Sequence, residues 1–179
     1  LIQAWIDDGN TTIAPEKIKV PFIITQQVSR VEGGNGQQIK LRIMPNNLPH
    51  NKESLFYLNV LDIPPNNPQN AGKNKIKLAL QNRIKLLWRP SGIAPVDKKS
   101  LSQLNIKKKN NAISINNETA NWITVTTIKA QNVKVNNESI LLPPFSNNDI
   151  TLKNNHASEY ELTVVDDYGN NIHSNIAAR

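Results

Sequence analysis

Few side chains in this sequence are arranged for catalysis. Asp166 and Asp167 form an adjacent carboxylate pair, but no second acidic cluster accompanies them, so acid–base catalysis is not supported. The histidines His50, His156 and His173 stand in separate turn-like contexts without the spacing of metal ligands, and we expect them at the surface. Cysteine is absent, which excludes thiolate catalysis and disulfides. The sequence therefore predicts a protein that is not an enzyme and that uses no metal or cofactor.

The stretch 75–89, KIKLALQNRIKLLWR, is the most informative part of the chain. Its even positions are apolar except for one asparagine, and its odd positions are mostly cationic. This alternation predicts a β-strand, which at about 3.3 Å per residue would extend roughly 50 Å. A domain half the length of this chain is too small to cover such a strand, so we expect part of it at a sheet edge that can pair with another chain. From alternation alone, a long core strand with a cationic solvent face is the alternative.

The composition limits the classes of partner. The 179 residues include 21 Lys and Arg against 14 Asp and Glu, which gives a net charge of +7. Lysines cluster at 98–99 and 107–109, but aromatic residues are not interleaved with them, so a solvated face is favoured over nucleic-acid binding. No apolar run approaches the 18 or more residues of a membrane span.

Period-2 alternation recurs along the chain, and no segment predicts a helix. We predict five strands in the first half, at 1–7, 20–32, 38–43, 54–61 and 75–89. Seven are predicted in the second, at 101–108, 112–116, 122–130, 133–135, 150–153, 159–166 and 172–177. Two prolines and a glycine at 89–95 separate the halves. The fold class is therefore all-β, with two immunoglobulin-like β-sandwich domains at 1–90 and 97–179 joined by a linker at 91–96. The first domain is expected to lack its leading strands.

Several segments, in this order, resemble the periplasmic chaperones that assemble pili through an outer-membrane usher. They are 1–5, 53–60, 63–65, 76–80, 83–90 and 166–169. The resemblance covers essentially the whole chain, and its opening residues look like the third strand of that family. It implies two immunoglobulin-like domains joined at an angle. The short link from Pro65 to Ile76 and the lack of cysteine resemble the short-loop branch.

The resemblance also implies roles for the residues of 75–89. This stretch matches the last strand of the first domain, and its alternating face matches the side chains that enter the groove of an incomplete pilus subunit: Ile76, Leu78, Leu80, Asn82 and Ile84. Lys85 matches the lysine that holds the C-terminal carboxylate of the subunit. The family pairs that lysine with an arginine of its first strand, which lies before the start of this sequence. The role is therefore not transferred to any arginine of this chain.

Two further groups of residues are implied by the same resemblance. Glu53, Arg89 and Asp167 match a charge cluster between the domains, where arginine can bind two carboxylates at once. Without the resemblance, separate surface charges worth under about 1 kcal/mol each are the simpler interpretation. Pro64 and Pro65 match loop prolines that gate binding to the usher.

Together these features predict a periplasmic, non-enzymatic chaperone. It is expected to bind pilus subunits by donor-strand complementation and to deliver them to an outer-membrane usher. We also expect the free chaperone to cap itself as a homodimer through 75–89. The alternative is a cell-surface adhesive module of tandem immunoglobulin-like domains, in which 75–89 would be permanently covered.

Overall fold

The computed structural model describes residues 1–65, 76, 78–152 and 157–179. The chain separates into two compact units. The first contains Leu1–Leu48 and Leu55–Trp88, and the second contains Pro49–Ser54 and Arg89–Arg179. Nearly all of the regular structure is β-strand, arranged in two β-sandwiches, which confirms the predicted fold class.

The described part of the first unit is built on one larger and one smaller antiparallel sheet. Its strands are β1 (Ile2–Asp7), β2 (Phe22–Thr25), β3 (Val28–Ser29), β4 (Lys40–Ile43), β5 (Ser54–Asp62) and β6 (Leu80–Trp88). The larger sheet has the order β3-β1-β5-β6, and the smaller sheet pairs β2 with β4. This order places β6 at the end of the larger sheet.

Alternate residues of these strands form the core of the first unit. Ala4, Ile6, Ile24 and Phe56 are buried, and partly buried side chains from the other strands pack against them. The ring of Phe56 meets that of Phe22 edge to face, with centroids 4.9 Å apart. Because side chains alternate along a strand, the opposite face of the larger sheet is left for polar residues.

Two predicted strands of the first unit were too long. The strand predicted at 20–32 is divided into β2 and β3 by Gln26, whose φ of 62° lies in the left-handed region and breaks an extended strand. The strand predicted at 75–89 begins only at Leu80 and ends at Trp88. Its nine residues extend about 30 Å rather than 50 Å. Ile76, Leu78 and Ala79 precede it, and 75 and 77 lie outside the described residues.

The second unit is the larger of the two sandwiches. Its strands are β7 (Leu104–Lys109), β8 (Ala112–Asn117), β9 (Ile123–Ala130), β10 (Val133–Lys134), β11 (Ile140–Leu142), β12 (Ser146–Thr151), β13 (Glu159–Val165) and β14 (Asn171–Ala177). One sheet has the order β10-β9-β13-β14, with β11 also paired to β9, and the other has the order β12-β8-β7. Isoleucine, leucine, valine and tyrosine side chains from both sheets fill a fully buried core.

The sequence missed two elements of the second unit. One is β11, whose three residues are too few to show alternation. The other is a short helix, α1 (Lys98–Ser102), at a place where no helix was predicted. The carboxylate of Asp97 accepts a hydrogen bond from the backbone N–H of Ser100, and the Ser100 hydroxyl accepts one from the N–H of Asp97. This reciprocal capping explains why a helix of one turn forms there.

The compact units and the predicted domains assign two short segments differently. The sequence assigned both Arg89 and the segment before β5 to the first domain, whereas the structure groups Arg89 and Pro49–Ser54 with the second unit. Hydrogen bonds explain this grouping, because Glu53 binds Arg89, Asn121 and Trp122. Val96, at the end of the predicted linker, is buried in the second core.

Candidate functional site

Strand β6 is an edge strand. Within the described residues its only strand neighbour is β5, so the backbone groups along its other side have no strand to pair with. Unpaired N–H and C=O groups along an edge provide a template for another chain to add a strand. The expectation that part of 75–89 lies at an edge therefore agrees with this sheet order.

One face of β6 changes along its length from buried to exposed. Leu86 and Trp88 pack against the core of the first unit. Toward the N-terminus the same face is open, with Ile84 58% and Leu80 68% exposed, and Leu78, just before the strand, is 74% exposed. Ile76, before the strand, and Asn82, within it, are also exposed. The five residues predicted to enter a subunit groove are thus all exposed.

The opposite face of β6 is tied to its own sheet by polar contacts. The Arg83 guanidinium donates two hydrogen bonds to Asp7 of β1, from Nη2 at 2.7 Å and from Nε at 3.2 Å. Its Cζ lies 3.5 Å from the centroid of the Tyr57 ring. Gln81 donates to Asn59 Oδ1 at 2.9 Å. Asn59 in turn donates to Asp7 Oδ2 at 2.6 Å. This set, Asp7, Tyr57, Asn59, Gln81 and Arg83, is called the β6 clamp below.

The charges of the clamp are compensated. Burial by itself would raise the pKa of Asp7, but hydrogen bonds from Arg83, Asn59 and the backbone N–H of Gly9 outweigh it and hold that pKa below its ordinary value. The hydrogen bonds to Asp7 raise the pKa of Arg83. Arg83 is therefore committed to Asp7.

Lys85 lies two residues beyond Arg83 on the same face of β6. Burial of its ammonium lowers its pKa, although the residue as a whole is exposed. A partly desolvated ammonium gains more from a carboxylate than a fully hydrated one does, because the two charges interact in a lower effective dielectric. The position is chemically suited to the predicted role of binding a subunit's C-terminal carboxylate.

The three residues of the predicted charge cluster do come together, and they do so within the second unit. Arg89 Nε donates to Glu53 Oε1 at 2.5 Å, and Arg89 Nη2 donates to Asp167 Oδ1 at 2.8 Å. The hydrogen bonds from Arg89 hold the pKa of Asp167 below its ordinary value. Hydrogen bonds to Asp167 and Glu53 raise the pKa of Arg89. The contacts are therefore those of an arginine bridging two carboxylates.

Pro64 and Pro65 follow β5 directly. Pro64 is half-buried and Pro65 is exposed. The backbone of Ile63 just before them is held by hydrogen bonds in both directions with Leu1, at 2.8 and 2.9 Å. The backbone from which the two prolines continue is therefore fixed to the sheet by hydrogen bonds. Their predicted role in gating stays a prediction.

The described residues offer no metal site. They contain no group of three or more histidine, cysteine, aspartate and glutamate side chains close enough to hold an ion. His173 Nδ1 lies 2.9 Å from the Thr163 hydroxyl, and His156 lies outside the described residues. No helix in the described part of the chain has the length and apolarity to span a membrane.

Comparison with known families decides which class of protein this is. Residues 1–94 match the family described as "Pili and flagellar-assembly chaperone, PapD N-terminal domain". Residues 99–176 match "Pili assembly chaperone PapD, C-terminal domain". The chain belongs to the pili assembly chaperone family. It is therefore a member of a non-enzymatic family of assembly chaperones, as the sequence predicted.

Individual members of the chaperone family are similar over nearly the whole chain. The chain is 52% identical to "Probable fimbrial chaperone YehC" of Escherichia coli (strain K12) over 98% of its own length and 74% of that protein. It is 34% identical to "Chaperone protein MrkB" of Klebsiella pneumoniae over 94% of its own length and 75% of that protein. Among solved structures, the CupB2 chaperone of Pseudomonas aeruginosa superposes with a TM-score of 0.83 at 27% identity, covering 99% of this chain and 85% of that one.

Sequence reasoning missed the β6 clamp. No role was assigned to Arg83, Asp7 or Asn59. A signal was present, because both are polar residues in otherwise apolar strands, and both are almost completely buried. A charge at such a position requires a buried partner, which the sequence alone does not identify.

Proposed function

We propose that this chaperone acts in the periplasm, stabilises pilus subunits by donor-strand complementation and delivers them to an outer-membrane usher. The observation that carries the proposal is the edge position of β6 together with its exposed apolar face. A subunit that lacks one strand exposes backbone groups and an apolar groove. Adding a strand from the chaperone satisfies both, because the edge of β6 supplies hydrogen bonds and its side chains fill the groove.

The energetics favour such a complex. Complete burial of one aliphatic side chain contributes about 1.5–3 kcal/mol. The four exposed aliphatic residues, Ile76, Leu78, Leu80 and Ile84, together supply several kcal/mol, from which the costs of association and ordering are subtracted. The complex needs no ATP, because a neighbouring subunit can later replace β6 with a strand of its own.

Lys85 supplies the direction and the register of this pairing. Its ammonium acts as a compact point charge for the C-terminal carboxylate of the subunit. Fixing one end of the subunit strand decides which side chains face which pockets, since a shift of one residue turns every side chain to the other face.

Delivery to the usher is proposed for the loop that follows β5. Pro64 and Pro65 restrict the backbone next to the end of that strand, and Pro65 is accessible to a partner. In a strain that carries the matching usher, Pro65→Ala should leave subunit binding unchanged and reduce the number of pili at the cell surface. Normal piliation with this variant would remove Pro65 from the usher interface.

An adhesive module of tandem immunoglobulin-like domains was the alternative function. It required 75–89 to be permanently covered, whereas Leu78, Leu80 and Ile84 are exposed. Membership of the chaperone family also favours the chaperone.

The proposal is tested by co-expressing the tagged chain with the candidate subunits encoded beside its gene. The wild-type chain should co-purify with a subunit, and Leu80→Asp should lose it, because the variant places a charge in the groove. Val133→Asp is the matched control, since Val133 is 61% exposed on the short strand β10 of the second unit. This control should bind the subunit normally.

A second control alters the subunit. A subunit given its own copy of the missing strand, fused at its terminus, has no open groove and should not be retained by the wild-type chain. Equal retention of the fused and the incomplete subunit would contradict donor-strand complementation. Retention by Leu80→Asp at the wild-type level would show that β6 is not the donor.

A further inference from the structure

We infer that the β6 clamp is a positioning device that sets the register of the donor strand, with the ion pair between Asp7 and Arg83 as its main element. The inference rests on the proposed function, since it assigns a purpose to the side of β6 that does not enter the subunit. The clamp joins three strands, because Asp7 is in β1, Tyr57 and Asn59 are in β5, and Gln81 and Arg83 are in β6.

The geometry of Arg83 is unusual because it bridges strands that are not neighbours. In the order β1-β5-β6, the central strand separates Asp7 from Arg83. Adjacent strands lie about 4.8 Å apart, so the two backbones are about 10 Å apart. The guanidinium crosses this gap by lying on the Tyr57 ring, 3.5 Å from its centroid, and forks onto both oxygens of Asp7. A lysine could supply the charge but not the fork or the flat stacking surface.

Only one register of β6 satisfies these contacts. A slip of one residue would turn Arg83 toward the core, and a slip of two would move it by about 6.6 Å. Either slip would leave the Asp7 carboxylate, whose side chain is 3% exposed, without its charged partner. Gln81, two residues before Arg83 on the same face of β6, adds a second contact by its hydrogen bond to Asn59. The wrong registers are therefore penalised by a buried uncompensated charge.

The register of β6 matters because this strand has two tasks on opposite faces. Leu78, Leu80 and Ile84 face the subunit groove, whereas Lys85 faces the carboxylate anchor. If β6 shifted against its own sheet, Lys85 would be displaced from the position at which it binds the subunit's carboxylate. The clamp also neutralises Arg83, so that Lys85 does not lie two residues from an uncompensated cation. An edge strand has only one neighbour to oppose such a shift, which explains why side-chain contacts reinforce it.

The test uses the whole chain and the variants Asp7→Asn and Arg83→Gln, singly and together. The first readout is the set of cross-strand nuclear Overhauser contacts between β5 and β6 in the free protein. Wild type should give one set. In each single variant the wild-type contacts between β5 and β6 should weaken, and new contacts should appear that are displaced along β6. The double variant should also give displaced contacts, because no buried charge then penalises the wrong registers.

The second readout is capture of the subunit encoded beside the gene, which each single variant should reduce by about tenfold. Glu161→Gln is the matched control, since it breaks a partly exposed ion pair with Lys129, 2.7 Å long, in the second unit. It should change neither readout. If Asp7→Asn does not fold, Arg83→Lys replaces it, because it keeps the charge and removes the fork.

The outcomes separate this inference from the proposed function. Displaced contacts with reduced capture support the inference. An unchanged set of contacts in the single variants overturns it whatever happens to capture, and displaced contacts with full capture overturn the link between register and binding. If the wild-type chain captures no subunit, the proposed function fails, and the contacts in the free protein still decide whether the clamp sets the register.

Discussion

Arg89 and Glu53 form an ion pair inside the second unit, with 2.5 Å between Nε and Oε1 and with the Glu53 side chain fully buried. Glu53 immediately precedes β5, and Arg89 immediately follows β6. The carboxylate also accepts hydrogen bonds from Asn121 Nδ2 at 3.0 Å and from the Trp122 N–H at 2.7 Å. The pair therefore joins, within the second unit, the residue that precedes β5 to the residue that follows β6.

Replacing Arg89 by methionine should destabilise the second unit by about 3 kcal/mol, since it leaves the buried Glu53 charge without its cation. Urea unfolding of both proteins, followed by tryptophan fluorescence, measures this difference. Lys129→Met removes one partner of a more exposed pair and should cost under about 1 kcal/mol. A similar decrease in the free energy of unfolding for the two variants would mean that the buried Glu53 pair contributes no more to stability than the exposed pair.

Acid should weaken the protein through Asp167 and Asp7. Hydrogen bonds from Arg89 hold the pKa of Asp167 below its ordinary value, and the pKa of Asp7 is also lowered. A carboxylate with a lower pKa in the folded state contributes stability that is complete above its unfolded pKa and is lost as the pH falls through the folded value. The stability difference between wild type and Asp167→Asn should thus shrink as the pH falls below about 4, the ordinary pKa of an aspartate. A difference that stays constant as the pH falls further would contradict the assignment.

The sequence predicted the features of β6 that follow from the alternation of its side chains. It missed the contacts that β6 makes with residues far away in the chain. The two faces predicted for 75–89 follow from a period of two, and the structure has these faces from Leu80 to Trp88. The strand's start at Leu80 was not predicted, because alternation continues before the pairing begins. The clamp partners Asp7 and Arg83 are 76 positions apart in the chain, and only the sheet order brings them together.

Lys85→Ala should reduce subunit capture at least about tenfold without unfolding the protein. The residue is exposed on an edge strand, so its truncation should change the free energy of unfolding by under about 0.5 kcal/mol. Capture by wild type should also weaken between about 0.1 and 1 M salt more than capture by the variant. The control is Lys107→Ala, which replaces an exposed lysine of β7. Undiminished capture by Lys85→Ala would exclude the carboxylate anchor.

The free chaperone should associate with itself when no subunit is present. Its exposed residues Leu78, Leu80 and Ile84 can be covered by a second copy that pairs along the same edge. Sedimentation at increasing protein concentration should show a monomer converting to a dimer, and Leu78→Asp should remain monomeric. Only monomer at every concentration of the wild type would contradict self-capping.

Amide hydrogen exchange of the chaperone, measured with and without its bound subunit, tests strand donation most directly. Our account predicts that the amides of 78–86 become strongly protected in the complex, while those of the exposed strand β10 in the second unit exchange as before. Protection confined to other surfaces, with 78–86 exchanging at the same rate in the free and the bound chain, would contradict it.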